Sequence, residues 1–319
     1  MSRNIAITGA SGFVGRAVSR AFLQRGDTVF GFVRRPGSTV AGVRELALPA
    51  AVGDEFDLQW PDAICCECMI HLAARVHQMV DGAVDPLTEY RAINVEGALR
   101  VARVAHEAGV KRFVYVSSIK AVGERSTGHP LRESDAPAPV DPYGVSKLEA
   151  ERTLAEYGRQ SGLEIVVVRP PLVYGPGVRA NFQQMMRVIA AGVPLPLGAI
   201  DARRSLVFVD NLADALVQCA IDPRAAGETF HVTDGRDLTV VELARALARE
   251  LGVPARLIPV PVFLMRVAGR LAGRSAQVDR LIGELRVDSS RIAEKLGWYP
   301  PHTIEQGLFE TAAWYRSTH

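Results

Sequence analysis

The sequence predicts an α/β fold in which a doubly wound parallel sheet is followed by a smaller mixed α/β domain. In the first half of the chain, short apolar runs alternate with segments of helical spacing, which is typical of strands joined by crossover helices. Residues 165–168 are continuously apolar, as expected for a strand that is buried on both faces. After Pro170 and Pro171 the alternation ends, and prolines and glycines become dense. We therefore divide the chain into residues 1–172 and 173–319.

The predicted elements follow from the spacing of apolar side chains. Short apolar segments predict strands at residues 4–8, 27–33, 69–73, 113–117 and 165–169. Helical spacing predicts helices at residues 12–24, 90–108 and 143–157. In the second half we expect helices near residues 240–251 and 289–296, and two strands that return to the first sheet, at residues 205–209 and 229–232.

Composition and charge exclude several classes of protein. Of the 319 residues, 48% are hydrophobic and 23% are charged, which is ordinary for a soluble globular protein. The net charge of +2 does not favour nucleic acid or a membrane as a partner. No apolar run approaches the roughly 20 residues of a membrane-spanning helix, and the N-terminus lacks the pattern of a signal peptide. We therefore expect a cytoplasmic protein.

One segment of the second half is open to two interpretations. Residues 261–274 are apolar, with Arg266, Arg270 and Arg274 spaced four apart. This pattern also occurs in helices that lie on a membrane surface. We favour a helix of the smaller domain with one solvated edge.

Three of the four cysteines stand close together, at Cys65, Cys66 and Cys68, and the fourth is Cys219. A structural zinc site needs four ligands, usually in two CxxC pairs, and the chain has no second pair. We therefore expect no metal, and we interpret the cluster as reduced thiols that precede a strand.

A glycine-rich segment directly follows the first predicted strand. Gly9, Gly12 and Gly15 have GxxGxxG spacing and open the first predicted helix. Gly9 permits the tight turn, Gly12 lets a pyrophosphate approach the N–H groups of the helix N-terminus, and Gly15 allows close packing of helix on strand. The segment therefore predicts a dinucleotide-binding (Rossmann) domain. The residues expected to contact the cofactor here are Gly9, Ser11, Gly12, Phe13, Val14 and Gly15.

The end of the second strand indicates which dinucleotide is bound. An acidic residue there would bind the ribose 2′-hydroxyl of NAD, but the chain instead has Arg34 and Arg35. Two guanidinium groups can bind a 2′-phosphate through paired hydrogen bonds. The arginine pair therefore favours NADP, and NAD is the alternative if both side chains are only solvated.

Tyr143 and Lys147 are the candidate catalytic pair. They stand four residues apart in the predicted helix at 143–157, so they share one helix face. The pKa of a free tyrosine, about 10, is too high for a base at neutral pH, but a neighbouring ammonium group favours the phenolate. Ser118, just after the strand at 113–117, is placed to hydrogen-bond the reacting oxygen. We expect these three residues to form the catalytic site.

In order and spacing, these segments resemble the extended short-chain dehydrogenase/reductase family, in its nucleotide-sugar epimerase/dehydratase branch. The resemblance covers nearly the whole chain. It rests on TGASGFVG at 8–15, IHLAA at 70–74, NVEG at 94–97, VSS at 116–118, YGVSK at 143–147 and RPPLVYGPG at 169–177. It implies an enzyme of nucleotide-sugar oxidoreduction with a dinucleotide cofactor. It also implies a homodimer formed through the helices at 90–108 and 143–157.

The resemblance implies roles for individual residues. Tyr143 would be the acid/base, Lys147 would bind the nicotinamide ribose, and Ser118 would hold the reacting hydroxyl or ketone of the substrate. Further cofactor contacts are implied for Leu72, Ala73, Ala74, Asn94 and Pro170. Further substrate contacts are implied for Lys120, for Asn181 and Arg204 at the nucleotide diphosphate, and for Arg280 or Arg286. His77 follows the strand that ends near Ala74, and we interpret it as structural.

Departures from the family pattern reduce the number of possible reactions. The 4,6-dehydratases of the family have an Asp-Glu pair where this chain has Ile119 and Lys120, so we expect no dehydratase activity. Reduction of a 4-keto sugar and epimerisation at C4 remain. We favour the reductase, because Arg34 and Arg35 favour NADP and a consumed NADPH suits a reductase. The segments SSIKAVGE and RPPLVYGPGV also resemble reductases of 4-keto-6-deoxy amino sugars in bacterial surface-polysaccharide pathways.

The expected substrate is a nucleotide-linked hexose, with UDP as the expected nucleotide. The alternative to the reductase is a UDP-hexose or UDP-N-acetylhexosamine 4-epimerase, which would keep its cofactor bound. A more distant alternative is a regulator that senses NAD(P) without catalysis. The intact pair of Tyr143 and Lys147 argues against that class.

Overall fold

Strands and helices alternate along the first half of the protein in a computed structural model that describes residues 2–48, 58–76, 85–273 and 275–319. The first half contains β1 (Asn4–Thr8), α1 (Phe13–Gln24), β2 (Thr28–Val33), β3 (Arg44–Ala47), β4 (Cys68–His71), α2 (Pro86–Arg91), α3 (Ala98–Glu107), β5 (Arg112–Val116), α4 (Pro142–Ser161) and β6 (Glu164–Arg169). The second half contains β7 (Leu172–Tyr174), α5 (Ala180–Ala190), β8 (Arg203–Arg204), β9 (Leu206–Phe208), α6 (Val209–Ile221), β10 (Thr229–His231), β11 (Leu238–Thr239), α7 (Val240–Leu251), α8 (Val262–Leu271), α9 (Ser275–Ile282), α10 (Ser290–Leu296) and α11 (Ile304–Thr318).

Seven of the described strands form one parallel sheet, in the order β10-β6-β5-β4-β1-β2-β3. After β1, the chain adds β2 and then β3 on one side. It then crosses β1 and adds β4, β5, β6 and β10 on the other side. Because the strand order reverses between β1 and β4, a crevice forms at the carboxyl ends of these two strands. Open α/β sheets bind ligands at such a crevice. The predicted doubly wound parallel sheet is confirmed.

Helices cover both faces of the sheet, because the side chains of each strand alternate between the faces. In β1, Ile5 and Ile7 belong to the same apolar core as residues of α1 and α6, whereas Ala6 belongs to the core formed with α3 and α4. Helix α1 packs directly on α6, and Phe22 and Leu216 lie fully buried in their shared core. The two halves of the chain therefore contribute to one core.

Most predicted helices and strands lie close to their expected positions. The helix predicted at 90–108 begins earlier, with Pro86, and its segment Ala92–Gly97 is a π-helix. Asp85 caps this helical stretch by accepting a hydrogen bond from the N–H of Thr88 at 3.3 Å. Strand β3 was not predicted, because it is a partly exposed edge strand without an apolar run.

One predicted strand does not join the main sheet. Residues near 229–232 do return to it, as β10 beside β6. The strand predicted at 205–209 is the shorter β9, which pairs in parallel with β7 in a separate two-stranded sheet. The prediction is wrong for this strand because β10 occupies the edge of β6, while Val209 already begins α6. An apolar run reveals an extended strand but not the edge beside which it lies.

The four cysteines are free thiols. Cys65 is exposed, whereas Cys66, Cys68 and Cys219 are buried. Burial raises the pKa of the Cys66 and Cys68 thiols to about 12, so both remain neutral at physiological pH. Within the described ranges, no three His, Cys, Asp or Glu side chains are grouped so that they could hold a metal ion.

Candidate active site

The loop between β1 and α1 lies at the crevice and requires glycine at two positions. Gly9 has a φ of +70°, and a Cβ atom there would lie 3.1 Å from the backbone of Leu72 and Ala73. A Cβ atom on Gly15 would lie 2.1 Å from the carbonyl oxygen of Gly9, so only glycine allows this packing. No described side chain caps α1 after Gly12, and the first N–H groups of the helix are therefore available to an anion. These features fit the pyrophosphate of a dinucleotide.

The ends of β2 and β4 border this loop. After β4, the N–H groups of Leu72 and Ala73 donate to the carbonyl oxygen and the Oγ1 of Thr8, each at 3.3 Å, which ties this segment to the end of β1. Arg34 and Arg35 directly follow β2, the other neighbour of β1, and both are exposed. The residues predicted to bind the cofactor on β1, β2 and β4 therefore share one end of the sheet.

The three predicted catalytic residues come together where β5 ends and α4 begins. Asp141 caps α4 by accepting a hydrogen bond from the N–H of Gly144 at 2.7 Å, so the helix starts just before Tyr143. One turn later, the Nζ of Lys147 lies 6.0 Å from the centre of the Tyr143 ring. The hydroxyl of Ser118 lies close enough to that of Tyr143 to lower the pKa of the phenol. A sugar oxygen placed between these two hydroxyls would contact both.

The ammonium group of Lys147 is held against β5. Its Nζ donates to the carbonyl oxygen of Val116 at 2.9 Å and to the hydroxyl of Tyr115 at 3.2 Å. Burial lowers the pKa of Lys147 to about 7, an effect that the negative charge of Glu151 partly opposes. Near neutral pH, Lys147 is therefore close to the midpoint of its titration.

Burial shifts the pKa of Tyr143 in the opposite direction. It raises the pKa above the ordinary value, the neighbouring hydroxyl of Ser118 lowers it, and the negative charge of Asp141 raises it further. The expectation that Lys147 makes this phenol unusually acidic is wrong for the protein alone, because burial disfavours the phenolate and also weakens the charge of Lys147. Tyr143 is thus neutral in the protein alone, and its phenolate requires further positive charge.

A buried ion pair beside Lys147 was missed by sequence reasoning. The Nε and Nη2 of Arg169 donate to the carboxylate of Glu151 at 3.0 and 2.6 Å, and the hydroxyl of Ser117 donates to the same carboxylate. The two charged side chains are only 8% and 7% exposed. The pair joins α4 to β6, with Glu151 one turn along α4 from Lys147. The one available signal was the spacing of four between Lys147 and Glu151, which places both on one helix face.

Asn94 connects the loop after β4 to α4. Its side-chain oxygen accepts from the N–H of Arg75 at 2.9 Å, and its Nδ2 donates to the carbonyl oxygen of Arg75 at 3.1 Å and to the Oγ of Ser146 at 3.0 Å. Asn94 is buried and positions the loop that follows Ala74, while the cofactor contact implied for it stays a prediction. His77 lies outside the described residues.

A cavity of about 620 Å³ is lined by residues between 122 and 140 and by α9. Glu124 lies in its wall and pairs with two residues predicted to bind substrate. The Nζ of Lys120 is 2.9 Å from Glu124 and 2.5 Å from Asp141, and the Nε of Arg280 is 3.6 Å from Glu124. Since Asp141 caps α4, Lys120 links this cavity to the start of that helix.

Arg125 is a cavity residue that sequence reasoning missed. It donates to the carbonyl oxygen of Asp279 at 3.3 Å, and the nearby Arg204 donates to that of Gly283 at 2.8 Å. Burial lowers the pKa of Arg204, and the positive charge of Arg125 lowers it further. With Arg280 in the same cavity wall, these guanidinium groups could contact an anionic ligand such as a diphosphate, although three carboxylates share that wall. No motif in the sequence distinguishes Arg125.

The remaining predicted residues lie at other places. Asn181 is exposed on α5, and Arg286 pairs with Glu284 at 2.8 Å. Pro170 is buried after β6, and its carbonyl oxygen accepts a hydrogen bond from the N–H of Ile119 at 3.0 Å. The substrate and cofactor contacts implied for these residues stay predictions.

Comparison with known proteins agrees with this arrangement. The model of the NAD dependent epimerase/dehydratase family matches residues 5–233. The chain is 40% identical to the UDP-glucose 4-epimerase of Vibrio cholerae over 98% of this chain and 95% of that protein. It is 27% identical to the GDP-6-deoxy-D-mannose reductase of Pseudomonas aeruginosa over 97% of this chain and 95% of that protein. The solved structure of MoeE5 in complex with UDP-glucose and NAD has a TM-score of 0.76 at 25% identity and covers 99% of each chain. The resemblance is therefore confirmed, and the chain belongs to the NAD dependent epimerase/dehydratase family of extended short-chain dehydrogenases/reductases.

Proposed function

We propose that the protein exchanges hydride at C4 of a UDP-linked hexose, as a 4-epimerase. The observation that carries this proposal is the placement of the Ser118 hydroxyl beside the Tyr143 phenol, with Lys147 one turn further along α4. The 40% identity to a UDP-glucose 4-epimerase supports epimerisation over net reduction. Bound NAD(P) would supply the hydride acceptor and donor for C4.

In this proposal, Tyr143 moves the proton of the C4 oxygen. Burial keeps its phenol neutral, which is the form that donates a proton to the oxygen of a 4-keto sugar. Removal of the proton from a C4 hydroxyl requires the phenolate, which a protonated Lys147 and the positive charge of an oxidised nicotinamide ring both favour. Ser118 orients the sugar oxygen through its own hydroxyl.

A 4-ketoreductase is the second candidate, and Arg34 and Arg35 are the observation that favours it. Both arginines are exposed directly after β2, where side chains of this fold reach the adenosine ribose of a dinucleotide. A preference for NADPH would suit an enzyme that consumes its cofactor. The reductase relative from Pseudomonas aeruginosa has the lower identity of 27%, so this reaction comes second.

Incubation with candidate substrates distinguishes the two reactions. UDP-glucose, UDP-N-acetylglucosamine and a UDP-linked 4-keto-6-deoxy sugar are each incubated with and without NADPH. An epimerase interconverts C4 isomers without consuming added cofactor, whereas a reductase oxidises NADPH in stoichiometric amount. If NAD(P) binds but neither conversion occurs, a regulator without catalysis replaces both proposals.

Replacement of Arg34 and Arg35 by alanine tests the cofactor preference. We expect the double variant to bind NADPH about tenfold or more weakly, because a hydrogen bond to a charged group contributes roughly 1.5–3 kcal/mol. NADH binding should change little. Titration with both cofactors, followed by nicotinamide fluorescence, measures the difference. The control Arg159→Ala removes an exposed arginine that pairs with Glu156, and it should alter neither affinity. Equal weakening of both cofactors would remove the argument for NADP.

Replacement of Arg125 by methionine tests the diphosphate site. We expect KM for the UDP-sugar to rise about tenfold with little change in kcat, because the lost charged contact is present in ground state and transition state alike. Steady-state kinetics measure both constants. Arg236→Met is the control, since this exposed arginine pairs with Glu305 at 2.7 Å and lies outside the cavity wall. A fall in kcat at constant KM would contradict a binding role.

A further inference from the structure

Helix α8 exposes apolar side chains on one face. The exposed fractions are 64% for Phe263, 46% for Leu264, 48% for Val267 and 86% for Leu271. At 3.6 residues per turn, these four side chains occupy one arc of roughly 100° around the helix. Met265 and Gly269, on the opposite side, are buried. The helix is therefore anchored to the protein by one side, while its apolar arc meets solvent.

Arginines stand beside this apolar arc. Arg266 and Arg270 are exposed on the flank of α8 next to Phe263, and Arg266 lies 3.9 Å from Asp279. Between residues 251 and 278, the sequence has no Asp or Glu and has the four arginines Arg256, Arg266, Arg270 and Arg274. The net charge of the whole chain is only +2, so this segment is a local concentration of positive charge.

We propose that the exposed face of α8 docks on the surface of an anionic phospholipid bilayer. A helix that lies in the membrane interface places apolar side chains at the acyl boundary and cationic side chains among the headgroups, and α8 offers both on adjacent faces. Each arginine near an anionic leaflet strengthens the attraction. A second copy of this chain is a poorer partner for this face, because the arginines of the two copies would repel each other.

In this proposal the protein binds the surface of the bilayer and does not span it. Helix α8 has ten residues, and among the described helices none is both long and apolar enough to cross a membrane. Met265 of α8 packs in one cluster with Val278 of α9, and the next two residues of α9, Asp279 and Arg280, line the cavity of about 620 Å³. Docking would therefore bring this cavity close to the lipid headgroups. From the sequence alone, we interpret this segment as a helix with one solvated edge. The exposure of four apolar side chains favours docking on a bilayer instead.

Co-sedimentation of the full chain with lipid vesicles tests the proposal without any substrate, so its outcome is separate from that of the proposed function. Vesicles of equal parts phosphatidylglycerol and phosphatidylcholine are compared with vesicles of phosphatidylcholine alone, at low and at high salt. We expect binding to the anionic vesicles at low salt, weakened about tenfold or more by high salt or by removal of the anionic lipid. If the wild-type chain does not bind anionic vesicles at low salt, the proposal is overturned.

Two variants locate the contact on α8. Phe263→Ser with Leu271→Ser removes apolar contact, and Arg266→Gln with Arg270→Gln removes positive charge. Each double variant should bind anionic vesicles about tenfold more weakly. Since all four side chains are exposed, the thermal unfolding midpoint should not change. Wild-type binding by both variants would place any lipid contact elsewhere and refute the role of α8.

Matched controls remove the same chemistry from other surfaces. Phe309→Ser removes an apolar side chain that is 55% exposed on α11, and Arg236→Gln with Arg249→Gln removes two exposed charges. These controls should bind as the wild type does, and an equal loss in them would refute a specific docking face. Sedimentation velocity without lipid provides the remaining comparison. If the α8 variants change the oligomeric state and the wild type ignores lipid, the face belongs to a second copy instead.

Discussion

Tyr143→Phe is expected to lower kcat by about 10²- to 10⁴-fold, the range that a general acid or base contributes. The substitution removes the hydroxyl that lies beside Ser118 but keeps the ring. The neutral phenol is the proton donor in the reduction direction, and phenylalanine has no proton to give. Affinity for NAD(P) should change little. Turnover of the UDP-sugar and titration of the cofactor measure the two effects separately.

Tyr157→Phe is the matched control for this variant. It removes a hydroxyl from the same helix, α4, at a position where the ring packs against His106. Its turnover should equal that of the wild type. If Tyr143→Phe also turns over normally, Tyr143 does not transfer the proton. If the variant instead loses the cofactor, Tyr143 is a binding residue, and the catalytic assignment is wrong.

Arg169→Met is expected to lower the free energy of unfolding by about 3–5 kcal/mol, since it leaves the Glu151 carboxylate buried without its cation. Both side chains of this pair are more than nine-tenths buried, so water cannot replace the two lost hydrogen bonds. Urea unfolding measures the loss. Addition of Glu151→Leu should recover much of it, because an apolar pair has no charge to desolvate.

The ion pair of Arg91 and Glu149 provides the control on the same helix. Its atoms are 2.6 Å apart, but the side chains are 47% and 32% exposed. Arg91→Met should therefore cost less than about 1 kcal/mol. Equal losses at the buried and the exposed pair would show that burial does not determine the contribution of Arg169.

The first half of the fold is predictable because its signals are local. The apolar run of Ile5, Ala6 and Ile7 and the glycines after Thr8 mark a strand, a tight turn and a helix within a few residues of one another. The described strands of the second half are two or three residues long, and nothing in a short apolar run specifies its neighbour. The places of β9 and β10 depend on which one reaches the edge of β6, and that depends on contacts distant in sequence.

The same difference separates the predicted from the missed site residues. Tyr143 and Lys147 stand four residues apart on one helix, so a local rule brings them together. Glu151 and Arg169 lie on different elements, and their pairing depends on how α4 packs over β6. The expected direction of the Tyr143 pKa shift is wrong, and the reason is related. Neighbouring charges can be inferred from sequence, whereas burial is a property of the folded chain.

The contact between α1 and α6 has a consequence for any division of the protein into fragments. Helix α1 begins at the glycine loop, yet the helix that shields it from water comes from after residue 172. Strand β10, which closes one edge of the sheet, also comes from there. A fragment that ends at residue 172 would keep every glycine of the loop and still expose Phe22 and the flank of β6. We therefore expect that neither half is a self-sufficient folding unit.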